Sequence, residues 1–508
     1  MSPAANPALR CGRARQVRSC TRSALLTGLV AVSCALRGTP LTAQSAGALD
    51  TLRLRADAAV LADDSMGGRA TGTAGARRAA NFIAARLLAM GLRPAGSDFL
   101  EPVRLDRVRT GAGTTITIQQ NARSLRFQHG TGFLLGGGRN GLRSAAGEVV
   151  FLGLPAHVIA VASRTDLAGR VVAVGGTLGA EAAHIIPVLR TAGVTAVLQL
   201  ISDADAYEAV REDRETGLII GAADVEDPVW QPDLPMLTAS PALARALLAM
   251  TPVPPLDAQQ PFEPLRTGTR LDLRVDITFE PVEAANVVGV LPGSDPAAAG
   301  RVVAWAAHYD HLGTGPPDER GDTIWNGFSD NAAGVAMLLA IAEALVRAPP
   351  AHTTLFLFFT GEEHGLLGSA EWVTRPSLPL PRIAALINLD GGAPPRPPLS
   401  WRIAGGAGTA LGETARHVAA RHGWTADLTS SSPNSDHWPF QRRGVPAIFI
   451  IPGNVWEATS EAERIALRAR WDRYHQPGDG YAPEYPFAGI ARYATFALEV
   501  GLAAMQDR

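Results

Sequence analysis

The chain of 508 residues contains no lysine, so all 46 of its basic residues are arginines. Its three cysteines, Cys11, Cys20 and Cys34, fall within the first 43 residues, and the remainder can form neither a disulfide nor a thiolate metal site. Long apolar runs are scarce. Residues 24–36 form one, but it is too short to cross a bilayer, and no other stretch is expected to be long and apolar enough to do so. That run follows Arg10, Arg13, Arg15, Arg18 and Arg22 and precedes Leu41-Thr42-Ala43, the pattern of a secretory signal peptide cleaved after Ala43. A lipoprotein is the alternative, because Ala31-Val32-Ser33 precedes Cys34, although the match to a lipid-attachment site is poor. Cleavage would remove six basic residues and no acid, leaving 40 against 48 and a net charge of −8. With no basic patch standing out, nucleic acid is not an expected partner. The absence of lysine beside abundant alanine, arginine, glycine and proline fits a GC-rich bacterial genome and carries no function. No internal repeat or low-complexity segment stands out.

What the chain does have is five acidic and histidine clusters in a fixed order: AHYDHLG around His308 and Asp310, GFSDNAAG around Asp330, TGEEHG around Glu362 and Glu363, INLDGG around Asp390, and YHQPGD around His475. Three of them follow apolar, strand-length runs at 302–307, 354–359 and 383–389. Open α/β sheets bind ligands at the carboxyl ends of strands, so these residues can converge despite their separation in sequence. Imidazole nitrogens and carboxylate oxygens are donors that suit zinc, and two ions can share a bridging carboxylate. Each cluster alone also has a structural reading. His308 could be a core histidine bonded to Asp310, and Glu362 with Glu363 a solvated turn. Asp330 could cap a helix over 332–346, and Asp390 before Gly391 and Gly392 could sit in a turn. Five together, in this order and partly at strand ends, point to a di-metal hydrolase site.

At these clusters, and at GDTIWNGFSDNAAGVA, SDHWPF and YHQPGDG, the chain resembles the di-zinc aminopeptidases, a metallopeptidase family that includes glutamate carboxypeptidase II, the transferrin receptor and the glutaminyl cyclases. The likeness covers roughly 56–96 and 286 onward. It implies that Asp330 bridges two Zn²⁺ ions. His308 and Asp390 would complete one site, and Glu363 and His475 the other. Glu362 would be the general base on a water between the ions, and Asp310 would orient the His308 ring. A cis peptide between Asp330 and Asn331 is also implied. Some secreted members have a tyrosine just before the SDH triplet that stabilises the oxyanion, whereas this chain reads Ser431, Ser432, Pro433 and Asn434 there. His437 is a candidate substrate contact or a buttress of the pocket wall. His311 and His364 match no ligand position of the family and read as backing or surface residues, and Trp438 and Phe440 as core packing.

The fold expected is α/β, a mixed central β-sheet sandwiched by helices (the zinc exopeptidase fold) with an inserted smaller, β-rich α/β domain. The division is a leader at 1–43, the first part of the peptidase domain at 44–100, an insert at 101–281, and the main part at 282–508. Within the insert, a strand at 148–152, the segment D-L-A-G-R-V-V from Asp166, a helix-like run to Ala192 and a strand at 196–200 resemble a protease-associated domain, which usually restricts access to the active site. Proline-rich 252–264 marks its return. A loop and then a helix ending at Gly91 precede it, and 487–505 reads as a final amphipathic helix. The function implied is a secreted or periplasmic aminopeptidase acting on peptides. The alternatives are a carboxypeptidase of the glutamate carboxypeptidase type, for which Arg402, Arg442 and Arg443 could supply a cationic subsite, a glutaminyl cyclase, or a binding protein without metals. Oligomeric state is not legible.

Overall fold

The three apolar runs become the strands Val302–His308, Thr353–Phe359 and Ile383–Leu389. The computed structural model that shows this describes residues 49–506 apart from 214–216, 223, 226–232, 250–259, 299, 458 and 472. The expected leader and most of the proline-rich return lie outside the described residues. Every residue of Val302–His308 and Thr353–Phe359 is buried, which suits apolar, β-branched and aromatic side chains in strands covered on both faces.

These strands lie parallel and adjacent in the middle of a ten-stranded mixed sheet, with Ala447–Pro452 parallel beyond Ile383–Leu389. His308 is level with Phe359, and Ala306 with Asn388. The register therefore brings His308, the 360–363 segment and Asp390 to one edge of the sheet.

Side chains alternate across a strand. Val303, Trp305 and Ala307 enter a core shared with the helices Thr51–Leu61, Ala74–Ala89, Ala333–Arg347, Ala410–Arg421 and Ala488–Ala504. Val302, Ala304 and Ala306 pack instead with Trp372 and Phe440, from the helices Leu367–Thr374 and His437–Arg442. Helices thus cover both faces, as the sequence predicts.

The segment Phe328–Arg347 corrects one expectation. It has the length and apolarity of a membrane span, yet 83% of that apolar window is buried inside the fold. Its helix is apolar all round because it fills the core beside the sheet, where each buried Leu or Ile is worth roughly 1.5–3 kcal/mol over exposure.

The insert has its own eight-stranded sheet and its own apolar core. Its strands Ala145–Phe151, Val171–Gly175 and Ala196–Leu200 are parallel, and helix Ala182–Thr191 lies between the last two in sequence. The expected boundaries at 101 and 281 fall inside the main sheet. Leu100–Thr110 pairs antiparallel with Ile277–Leu291 over its full length, and Ile219–Gly221 pairs with the former. Chain entry and exit thus run as one long ribbon through the peptidase sheet before the insert proper begins.

Candidate metal centre

Asp330 sits in a wide turn, Phe328–Ala332, that feeds the buried helix Ala333–Arg347. The turn opens at Gly327 with φ +56°, where a β-carbon would lie 2.2 Å from the Asp330 carbonyl oxygen and 2.5 Å from the His311 ring. Asp330 does not cap the helix. Its neighbour Asn331, joined by a cis peptide, accepts from the Gly334 N–H at 3.1 Å and donates to the Leu389 carbonyl at 2.9 Å. The carboxylate of Asp330 is left for other partners.

Its two oxygens face two different histidines. Oδ1 lies 3.1 Å from His308 Nε2, and Oδ2 lies 3.0 Å from His475 Nε2. His308 Nε2 is also 3.0 Å from Asp390 Oδ1, and His475 Nε2 is 3.3 Å from Glu363 Oε2. Two donor groups result, His308, Asp330 and Asp390 on one side and Asp330, Glu363 and His475 with His311 on the other, their atoms within 4.8 Å of one another. Mixed imidazole and carboxylate donors clustered in this way fit zinc, and Asp330 belongs to both groups.

A backing layer holds these side chains. Asp310 lies 3.6 Å from His308 Nδ1, accepts from the Thr71 hydroxyl at 2.8 Å and takes the Glu362 N–H at 3.3 Å. Ser435 donates to Asp390 Oδ2 and is itself held by Asn388 at 2.7 Å. Asp479 accepts from the Ser329 hydroxyl at 2.8 Å and from the backbone N–H of Ser329 and Asp330. Arg69, fully buried, donates to four backbone carbonyls around the site.

The electrostatics of the metal-free site follow from crowding acids and imidazoles in the interior. Burial opposes charge on Asp330, but hydrogen bonds from His308 and His475 hold it well below the usual carboxylate range. Burial and Asp330 push against ionisation of Glu363, while His311 and His475 bring it down to about 2. Burial disfavours a charged His475, yet Asp330 and Glu363 raise it to about 10. Glu362, with no such direct partner, is raised well above its ordinary value by burial and by Asp390, Glu363 and Asp436, although His308 counters them.

Asp330, Glu362 and Asp390 line one cavity of about 570 Å³, whose wall also includes Tyr474, Trp456, Trp471, Arg402 and Arg468. Among the described residues, none of those that line it comes from the insert. Arg442 and Arg443 do not line it either. His437 stands one layer behind the wall: it is fully buried, its Nε2 meets the Ser431 hydroxyl at 3.1 Å, and its ring lies 5.6 Å from Phe449, which does line the cavity. Burial pulls its imidazole down to about 4. Phe440 is core, stacked on Trp372.

Sequence reasoning assigned no role to Tyr474, Asp479 or Ser435, though all three lie inside quoted motifs, and it left His311 open between backing and surface. Tyr474 stacks on His475 with ring centroids 3.8 Å apart. His311 is completely buried, with Nδ1 2.6 Å from Glu363 Oε1.

Comparison with known proteins agrees with this geometry. Residues 286–496 match the model of peptidase family M28. A probable zinc metalloprotease of Pyrenophora tritici-repentis is 32% identical over 206 residues, 39% of this chain and 43% of that protein. A probable leucine aminopeptidase 2 of Aspergillus oryzae is 34% identical over 232 residues, 43% of this chain and 42% of that one. The chain thus spans less than half the length of these curated relatives. The solved aminopeptidase of Aneurinibacillus sp. strain AM-1 shares the fold over 91% of this chain and 94% of its own, with a TM-score of 0.54 and 17% identity. The segment 286–496, which carries both donor groups, is similar to peptidase family M28.

Proposed function

We propose that the chain is a two-zinc exopeptidase that removes N-terminal residues from peptides. The observation that carries this reading is Asp330, whose two oxygens face His308 and His475 on opposite sides while Glu362 lines the same cavity. His308, Asp330 and Asp390 would hold one ion, and Asp330, Glu363 and His475 the other. Zinc at these positions supplies Lewis acidity, polarising a scissile carbonyl and bringing the pKa of water toward neutrality.

The chain's own groups do the remaining work. Glu362 sits in an acidic, buried setting that raises its proton affinity, so its carboxylate can accept a proton from the attacking water and pass it to the leaving amine. Asp310 holds the His308 ring in orientation from behind. Partial desolvation and the carboxylates of Asp330, Glu363, Asp390 and Glu362 raise the pKa of the Tyr474 phenol, a residue that remains 61% exposed. It is a donor on the cavity wall that can meet a developing oxyanion, the role for which 431–434 offers no tyrosine. Because the described cavity wall is built without the insert, we assign substrate selection to the peptidase part.

A second reading, a carboxypeptidase, draws on Arg402 and Arg468, which line the cavity and could meet a substrate carboxylate. The test is zinc content together with turnover of a panel of aminoacyl-nitroanilides and of N-acetylated dipeptides. Two zincs and release from free-amine substrates support the aminopeptidase. Turnover only of the blocked, C-terminally free peptides supports the second reading, and absence of zinc from protein loaded with excess metal sinks both.

A further inference from the structure

His311 touches the site without belonging to the five family ligand positions. Its imidazole is completely buried and its placement is over-determined. The backbone N–H bonds the Arg69 carbonyl at 3.3 Å, the residue bridges to Ala70, and the ring lies against Gly327, where no side chain would fit.

The distances separate two roles for it. Each of the two candidate ligand imidazoles faces two acids with one nitrogen: His308 Nε2 lies 3.0–3.1 Å from Asp330 and Asp390, and His475 Nε2 3.0–3.3 Å from Asp330 and Glu363, pairs that could share an ion with it. His311 Nδ1 instead lies 2.6 Å from Glu363 Oε1, a hydrogen-bond distance, and 3.8 Å from Asp330 Oδ2. The oxygen it meets is not the one that faces His475, which is Oε2. Its Nε2 is buried with no hydrogen-bond partner. A proton there would be a stranded donor, whereas a proton on Nδ1 is accepted by Glu363 and leaves Nε2 only an unused lone pair.

We propose that His311 is a positioning residue for the ion held by Glu363 and His475: its Nδ1–H pins Glu363 Oε1 and leaves Oε2 for the metal. The residue pair Asp310 and His311 then serves both sides of the centre, Asp310 behind His308 and His311 behind Glu363. Hydrogen bonds that orient a ligating carboxylate or imidazole typically set metal affinity within a factor of about 10–100.

The proposal rests on the two-zinc reading, and the experiment separates their failures. Zinc dissociation constants are measured by chelator competition for the wild type, His311→Ala and His311→Asn, whose amide N–H can occupy about the place of Nδ1. Histidine scattering per metal is read by X-ray absorption. The expected result is that His311→Ala weakens one of the two ions about 10–100-fold, leaves the other unchanged, keeps the histidine count per bound metal, and is largely restored by His311→Asn. A lower histidine count in His311→Ala would make the residue a ligand and overturn the positioning role. Equal losses in both variants, or no loss in either, overturn it as well. If His311→Ala does not fold, His311→Asn is compared with His311→Phe, and equal affinities then refute the hydrogen bond. A wild type that binds a single ion refutes the two-zinc reading, and the variants are then scored on that ion alone.

Discussion

Arg69 Nη2 donates to the carbonyl oxygen of Gly327 at 2.9 Å, and the same guanidinium bonds the carbonyls of Leu61, Tyr309 and Asn326. One buried cation thereby joins the end of helix Thr51–Leu61, the residue after His308 and the turn that presents Asp330. Burial draws its pKa down to about 10, against the opposing pull of Asp330, Asp479, Asp310 and Glu363. Replacing Arg69 with alanine should cost ~3–5 kcal/mol, because buried carbonyls and nearby carboxylates lose their cation. Urea unfolding of the metal-free protein checks this. Arg69→Lys should recover little, since a single ammonium cannot span four carbonyls.

Glu362→Gln should lower kcat by about 10²–10⁴-fold, the usual share of a general base. Zinc content should stay at the wild-type level, because Glu362 faces neither His308 nor His475 within hydrogen-bond distance among the described contacts. Metal analysis beside steady-state kinetics tests this, and loss of zinc in the variant would reassign Glu362 as a ligand.

Zinc binding near pH 7 should release protons. The metal-free site raises His475 to about 10, so its imidazole is protonated there and must become neutral to ligate. Glu363, at about 2, is already ionised and contributes no proton. The sign follows: affinity rises as pH approaches 10 from below and falls on acidification. Calorimetry in buffers of different ionisation enthalpy reads the release directly, and binding heats that ignore the buffer would contradict it.

Gly501→Ala should destabilise the fold by ~1–3 kcal/mol through overpacking. A β-carbon there would lie 2.0 Å from the Trp305 ring, which packs against the final helix and donates to the Ala497 carbonyl at 3.1 Å. Thermal unfolding should report the loss, while the rate per zinc-loaded molecule stays unchanged because no lining residue moves.

The ligand candidates were legible because each sits in a local pattern. Apolar runs announced the strands before His308, Glu362 and Asp390, and the Asp-Asn pair announced the start of a buried helix. Asn331 rather than Asp330 turned out to serve that helix, its side chain accepting from the Gly334 N–H. The expected bounds at 101 and 281 fall within Leu100–Thr110 and Ile277–Leu291, which pair with each other in the main sheet, a pairing between residues far apart in sequence. His437 read as a substrate contact or as a buttress of the pocket wall, and its ring lies buried behind Phe449 in helix His437–Arg442.

By itself the sequence determined the α/β class, the strands that lead into His308, Glu362 and Asp390, and which residue types could hold two metals, since periodicity and composition act over a few residues. Only the tertiary structure decided that Asp330 faces two histidines, that His311 backs Glu363 52 residues away, and that Arg69 reaches carbonyls 240 to 258 residues distant. Such contacts leave no local signature. They depend on strand register and on which face of the sheet each helix covers.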